Sequence, residues 1–354
     1  MKGERYKKIN RVIPDECLFN PLLLLLIILI ALSCSAQKEK IYRKSAILMD
    51  TAVTITVVSD SPLKAEESID AAFLEIKRIQ DLMNFWDEKS EISMINKNAG
   101  LKRTKVSPDT FDMIEKALYI SEKTNGAFDA TIGPVIRLYD FRKKTRPDAQ
   151  TLREKLGLVN YKAMELNKEK STAFLGVKGM SFDTGGIAKG YGADRAVAVL
   201  KRHGIKAGLV SVAGDIKAFG LKPDGKGWRI GIKNPRQKGK EDGIMAEMEL
   251  LDEAVSTSGD YERYFMEGGR RYHHILNPKT GIPASGPVSV SVASKEGFLS
   301  DGLSTGIFAL GADKGLKTMD GLGVNGIIVD SKGDVHITEG IKERVKIKIK
   351  PEVD

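Results

Sequence analysis

Two of the four histidines in this 354-residue chain, His273 and His274, stand side by side within Arg270 to Gly281. An imidazole titrates near neutrality, so a histidine at a strand end beside a cleft can take a proton as a general base. Side chains along a strand alternate between faces, so at most one of the pair faces a given cleft. The residues alone leave a structural role open for both. In Ser300-Asp301-Gly302-Leu303-Ser304-Thr305, a carboxylate and a hydroxyl lie four positions apart. On a helix they share a face, and hard oxygen donors so placed suit Mg²⁺. The same letters describe a helix start, with Ser300 as cap and Asp301 at the positive end of the dipole. In Ser181 to Tyr191, glycines precede a predicted helix carrying Lys189 in its first turn. Such a loop can turn backbone N–H groups and an ammonium toward a phosphate. Its glycine spacing fits neither the P-loop nor the dinucleotide fingerprint, and an ordinary strand-to-helix turn is the alternative. No His-x-x-x-His or Cys-x-x-Cys pattern occurs, which argues against zinc hydrolases.

These residues must be positioned by regular elements. Val53 to Val57 alternates as a strand, and Ala65 to Met83 places Ile69, Ala72, Phe73, Ile76 and Ile79 at helical spacing. Further helices are predicted over Pro108–Lys123, capped by Ser107 and stopped at Asn125-Gly126, and from Ala188 to His203. Strands then dominate: Gly208–Phe219, Trp228–Lys233, Ile244–Leu250, Ala254–Ser258, Tyr261–Met266, Tyr272–Leu276 and Val288–Ala293. Helices over Ser300–Leu310 and Asp313–Met319 and three closing strands follow. Val345 to Lys350 alternates with a lysine face and reads as an edge strand. The expected class is α+β, one compact domain with substantial antiparallel sheet and flanking helices. No internal repeat or Pro/Ser-rich linker divides it.

Bulk composition is compatible with a buried core, since 42% of residues are hydrophobic. Lys2, Arg5, Lys7, Lys8 and Arg11 precede an apolar run from Leu22 to Leu32 that ends at Ser33-Cys34-Ser35. That run is shorter than the roughly 18 residues of a membrane-spanning helix and has the layout of an export signal. Leu32-Ser33-Cys34 is similar to the box at which bacterial lipoproteins are cleaved and lipidated on cysteine, although Ala31 replaces the usual leucine. The expectation is a signal over residues 1–33, lipid on Cys34, a tether over 34–46 and a folded domain over 47–354, the alternatives being a plain cleaved signal or an uncleaved anchor. The product is then exported and anchored to a bacterial membrane, facing the periplasm. Without Cys17, a mature chain beginning at Cys34 has no second cysteine for a disulfide. The formal charge of +9 is spread among interleaved acids rather than gathered with aromatics, so nucleic acid is not expected as a partner.

Taken in order, the motifs resemble the FAD:protein FMN transferases, the ApbE family of exported flavin transferases. The resemblance runs from about Leu48 to His336. It includes Met49-Asp50-Thr51, Ser90 to Asn96, Gly126-Ala127-Phe128-Asp129-Ala130-Thr131-Ile132-Gly133-Pro134, Ile187 to Tyr191, Ser256 to Tyr261, His274 to Gly281, and Asp301 with Thr305. It implies cleavage of FAD at its pyrophosphate and transfer of FMN to a Thr or Ser hydroxyl of an exported or membrane flavoprotein, with release of AMP. By the same resemblance, Asp301, Thr305 and the carbonyl of Ala188 hold Mg²⁺, and His274 is the base. Met49 packs on the flavin, and Ala127, Phe128 and Asp129 line the nucleotide pocket. Lys189 lies by the phosphates or ribose, while Thr257, Ser258 and Ile275 contribute at a strand edge. Trp86 stands where relatives carry an aromatic Tyr and would stack on the flavin ring, the alternative being a core tryptophan. Two departures, Ser211 to Asp215 in place of Asn-x-Gly-Gly-Asp and Asn277 in place of Asp, imply different local hydrogen bonding in both turns. The competing readings are an FAD pyrophosphatase that uses water as acceptor, and a non-catalytic exported FAD-binding lipoprotein.

Overall fold

The first hairpin joins β1 (Lys40–Leu48) to β2 (Thr51–Ser59) through Met49 and Asp50, whose φ angles are 53° and 55°. Two positive φ values in a two-residue loop match the right-handed twist of the flanking strands, which fixes the register from Lys40↔Ser59 to Leu48↔Thr51. In this computed structural model, which describes residues 38–236 and 243–351, the fold therefore begins seven residues before the expected start of the folded domain. Residues 40–46 are strand, not tether. Charge obscured that strand: Lys44 points inward and pairs with Glu66 and Asp70, both at 2.9 Å, an inward charge of the kind that protects sheet edges. The signal and Cys34 lie outside the described residues. Among the described residues no helix is long and apolar enough to cross a membrane.

α1 (Pro62–Met83) starts earlier than its periodicity suggested, because the Ser61 side chain accepts the Lys64 N–H and Pro62 suits the first turn. Its Ala65, Ile69, Ala72, Ile76, Ile79 and Met83 are buried. α2 (Glu91–Lys97) is capped by Ser90, and β3 (Thr104–Lys105) leads to α3 (Pro108–Lys123), capped by Ser107 as expected. After the short α4 (Gly133–Ile136) and α5 (Ala149–Leu156), β4 (Met164–Asn167) and β5 (Thr172–Leu175) join β3 in a small sheet. α6 (Ala188–Arg202) follows the glycine turn. The strand expected over 208–219 is two strands, β6 (Ala207–Val212) and β7 (Asp215–Phe219), folded back at Ala213 and Gly214 with φ of 53° and 92°.

β8 (Trp228–Lys233), β9 (Ile244–Leu250), β10 (Ala254–Gly259), β11 (Tyr264–Glu267), β12 (Arg270–His273) and β13 (Ser289–Ser294) precede α7 (Gly297–Leu310) and α8 (Ala312–Leu322). β14 (Asn325–Val329), β15 (Val335–Ile337) and β16 (Val345–Ile347) close the chain, the last at the edge of a β16-β9-β8 sheet. The main sheet runs β1-β2-β6-β7-β10-β13-β14-β15, antiparallel throughout. One of its faces meets the β16-β9-β8 sheet, where Trp228, Ile230 and Met248 pack on Val58, Val255 and Val329. The other meets helices through Val53, Ile55 and Val210 against Ile69 and Ala196, and through Val290 and Val292 against Leu303 and Ile307. Each buried Val, Leu, Ile or Met among them contributes on the order of 1.5–3 kcal/mol. This is the expected α+β domain with antiparallel sheet.

Candidate functional site

α7 begins three residues earlier than expected, at Gly297, so Ser300 is an internal residue and not a cap. Its hydroxyl bonds to Ser294 Oγ at 2.8 Å. Asp301 therefore does not serve its own helix end. Its Oδ2 accepts the Gly190 N–H at 2.9 Å, in the first turn of α6, where no side chain of α6 supplies a cap. A carboxylate at a helix N-terminus satisfies a free donor and meets the positive end of the dipole. The two helices must touch for this: a Cβ on Gly190 would lie 2.1 Å from the Gly297 carbonyl oxygen.

Around that crossing the polar groups converge. Thr305, one turn after Asp301, lies 3.2 Å from Ser258 Oγ, which also meets Ser304 at 2.8 Å. A Cβ on Gly186 would be 3.4 Å from Thr305 Oγ1 and 3.1 Å from the Phe128 ring. Lys189 contacts Asp215 closely and stands 3.5 Å from Asp301 Oδ1. Burial pulls the Lys189 ammonium down, but the two carboxylates outweigh it and leave the pKa raised. Burial and the charge of Asp301 push the Asp215 carboxyl up to about 6 against the opposing pull of Lys189.

Beside this cluster runs the turn that holds Asp183. Asn96 clamps Phe182 by both amide atoms, at 2.7 and 3.0 Å, and Thr184 Oγ1 donates to the Met83 carbonyl at 2.8 Å. The Ser90 to Asn96 segment thus acts by fixing this loop. Burial pushes the Asp183 carboxyl up to about 6, opposed by the Gly185 N–H and by the Arg263 and Arg137 charges. His274 follows β12 directly, with its N–H donated to the Arg263 carbonyl at 3.1 Å. Burial, then the charges of Arg263, His273 and Lys189, hold its pKa well below the ordinary value, so its ring is neutral at neutral pH. Its buried Nδ1 has no partner within the protein. His273 faces the opposite way: Nε2 donates to the Ala284 carbonyl at 3.0 Å, and the ring meets Phe308 edge-on. The alternation read from the sequence separates the two rings, although the strand stops at His273.

The residues singled out by sequence fall into groups. Asp301, Thr305, Ser258, Lys189 and Phe128 belong to one contiguous set, and Met49 joins it along α6, its methyl 3.0 Å from a Cβ built on Gly192. Trp86 is 63% exposed, which removes the core-tryptophan alternative, and Arg137 spans its ring at 5.0 Å and that of Phe85 at 4.1 Å. Thr257 lies on the other face of β10 from Ser258 and bonds to Ser291 at 2.7 Å. Asp129 turns its carboxylate inward, accepting from Thr131 and from the Tyr161 N–H at 3.0 Å, so its side chain is committed to the fold. Ala127 and Ile275 are buried. Ala188 is the first residue of α6, which directs its carbonyl along the helix toward the Gly192 N–H. Asp183, Asp215 and Arg263 were not singled out by sequence. Asp183 carried a signal as the charged residue inside the glycine turn, and Asp215 as the end of the Ser211 to Asp215 turn; Arg263 carried none.

The sequence matches the ApbE family over residues 49–328. It is 32% identical over 305 residues to an FAD:protein FMN transferase of Haemophilus influenzae, covering 82% of this chain and 87% of that protein. A protein of that same description from Treponema pallidum is 29% identical over 334 residues, covering 89% and 92%. Among solved structures, the ApbE protein of Thermotoga maritima superposes with a TM-score of 0.80 at 32% identity, over 86% of this chain and 99% of that one. The flavin transferase ApbE of Vibrio cholerae does so with 0.76 at 27% identity, over 86% and 99%. With an antiparallel fold shared across that length and a polar cluster built where α6 crosses α7, this chain belongs to the ApbE family.

Proposed function

We propose that the chain transfers the FMN moiety of FAD to a Thr or Ser hydroxyl of a target protein and releases AMP. The observation that carries this is the grouping of a half-buried ammonium, Lys189, the Asp301 and Thr305 oxygens and a neutral, half-buried imidazole, His274, near one glycine turn. The relatives' names as FAD:protein FMN transferases support it.

In the reaction the acceptor hydroxyl oxygen attacks the FMN-side phosphorus of the pyrophosphate, and the bond from that phosphorus to the bridging oxygen breaks as AMP departs. His274, neutral and with Nδ1 unpartnered, accepts the hydroxyl proton. Lys189 faces the phosphate charge. Asp301 and Thr305 offer the hard oxygens that Mg²⁺ prefers, and the backbone carbonyl of Ala188 would be a third donor. Mg²⁺ held there neutralises pyrophosphate charge. Met49 and the exposed Trp86 supply flavin contacts, with Phe128 lining the nucleotide pocket.

Incubation with FAD, Mg²⁺ and an exported flavoprotein acceptor tests the reading. Covalent flavin on the acceptor supports transfer; free FMN with none attached would establish hydrolysis, and intact FAD would establish binding alone. Export and lipid on Cys34, with the enzyme on the periplasmic side of its membrane, complete the proposal, and mass spectrometry of the mature N-terminus checks them.

A further inference from the structure

Lys189 is flanked by two carboxylates from different elements, and it touches them unequally. Asp215 opens β7 just after the Ala213–Gly214 turn, has a side chain 5% exposed, and makes the closer contact. Asp301 stands 3.5 Å away through Oδ1, while its Oδ2 is occupied by the Gly190 N–H. An ammonium is a full point charge, so the carboxylate that holds it less tightly keeps an oxygen available to another cation.

We propose that Asp215 is a positioning residue that draws the Lys189 ammonium away from Asp301, keeping Asp301 Oδ1 open to a divalent cation. The inference rests on the reading of Asp301 and Thr305 as Mg²⁺ donors. Without the Asp215 charge, Asp301 is the remaining carboxylate paired with Lys189. The ammonium then closes onto Oδ1, and Mg²⁺ has to displace a cation the protein itself supplies. This gives the carboxylate at the hairpin corner a use that offsets the cost of burying it. It also assigns the Ala213–Gly214 turn a task, because that turn sets where Asp215 enters the site.

Calorimetric titration of the folded protein with MgCl₂, without FAD, reads the effect. Asp215→Asn is expected to weaken Mg²⁺ binding by about tenfold or more, within the ordinary range of coupling between sites. Lys189→Met is expected to bind Mg²⁺ at least as tightly as the parent protein, and Asp215→Asn/Lys189→Met to recover to within about threefold of it, since the competing ammonium is gone. A double variant as weak as Asp215→Asn alone overturns the proposal, because Asp215 would then serve the cation directly. Unchanged binding in Asp215→Asn overturns it as well. Should Asp215→Asn fail to fold, Lys189→Met decides: tighter or equal binding upholds the proposal and weaker binding overturns it. A parent protein that binds no Mg²⁺ overturns the metal reading and this inference together, while flavin transfer to an acceptor remains separately measurable.

Discussion

Gly190 and Asp301 are joined by a 2.9 Å hydrogen bond at the point where α6 and α7 cross, and the bond exists because Gly190 has no side chain. Gly190→Ala would drive a methyl into the Gly297 carbonyl, separate the helices and move Asp301 from Thr305's neighbours. Flavin transfer should fall below detection and the unfolding midpoint should drop. Gly192→Ala is the contrast, because its new methyl meets only the flexible end of Met49. That variant should keep its midpoint within a few degrees; equal damage in both would show that the crossing does not decide the site.

The two histidines separate activity from stability. His274→Ala should retain FAD binding and lose transfer. His273→Ala empties a core position against Phe308 and strands the Ala284 carbonyl, which should cost about 2–4 kcal/mol of stability. Transfer per folded molecule should change little. Parallel denaturant unfolding and single-turnover transfer measure both quantities, and loss of transfer in folded His273→Ala would contradict the assignment.

The acid limit of the reaction follows from the burial of His274. Its pKa is held well below 6.5, so protonation of the base disables transfer only under acidic conditions. The acid limb of kcat/KM should accordingly fall below pH 6.5. A limb at or above 7 would mean that another group controls the profile.

Asp183 should cost the unliganded protein stability. Its folded pKa is raised from 3.8 to about 6, so the unfolded chain ionises first as pH rises. The penalty is absent below the unfolded value, accumulates between the two and is complete above about 6. Asp183→Asn removes it, and should raise the midpoint at pH 8 by several degrees, at roughly 2–4 °C per kcal/mol, with little gain at pH 4. A gain of the same size at both values would point to packing instead of charge.

Trp86 is exposed and touches Arg137 and Phe85 only at its edge and face, so Trp86→Ala should leave unfolding almost unchanged. FAD affinity should fall by about threefold to tenfold, the worth of one aromatic stack, and Trp86→Tyr should recover most of it. Flavin fluorescence quenching gives the affinities.

Local signals explain what the sequence reveals. Ser107 before Pro108, and the apolar spacing of α1, mark helices because capping and periodicity act within a few residues. His273 and His274 are separable because strand alternation is equally local. Where tertiary partners decide, the letters mislead. Ser300 reads as a cap, yet α7 starts at Gly297, and Asp301 caps the neighbouring helix from over a hundred residues away. β1 escapes notice because its inward Lys44 is matched by acids on α1. Asp129 looks like a pocket residue until Thr131 and Tyr161 take its oxygens. Arg263 carries no motif and Asp215 shows only as the end of a divergent turn, so the fold alone brings them to His274 and Lys189.

The early start of β1 sets a leash. If lipid is attached at Cys34, the six steps to Lys40 span at most about 20 Å, and the strand from there to Met49 adds about 30 Å. The flavin end of the site then works no farther than about 50 Å from the bilayer, which restricts its acceptors to proteins that carry their target hydroxyl within that layer.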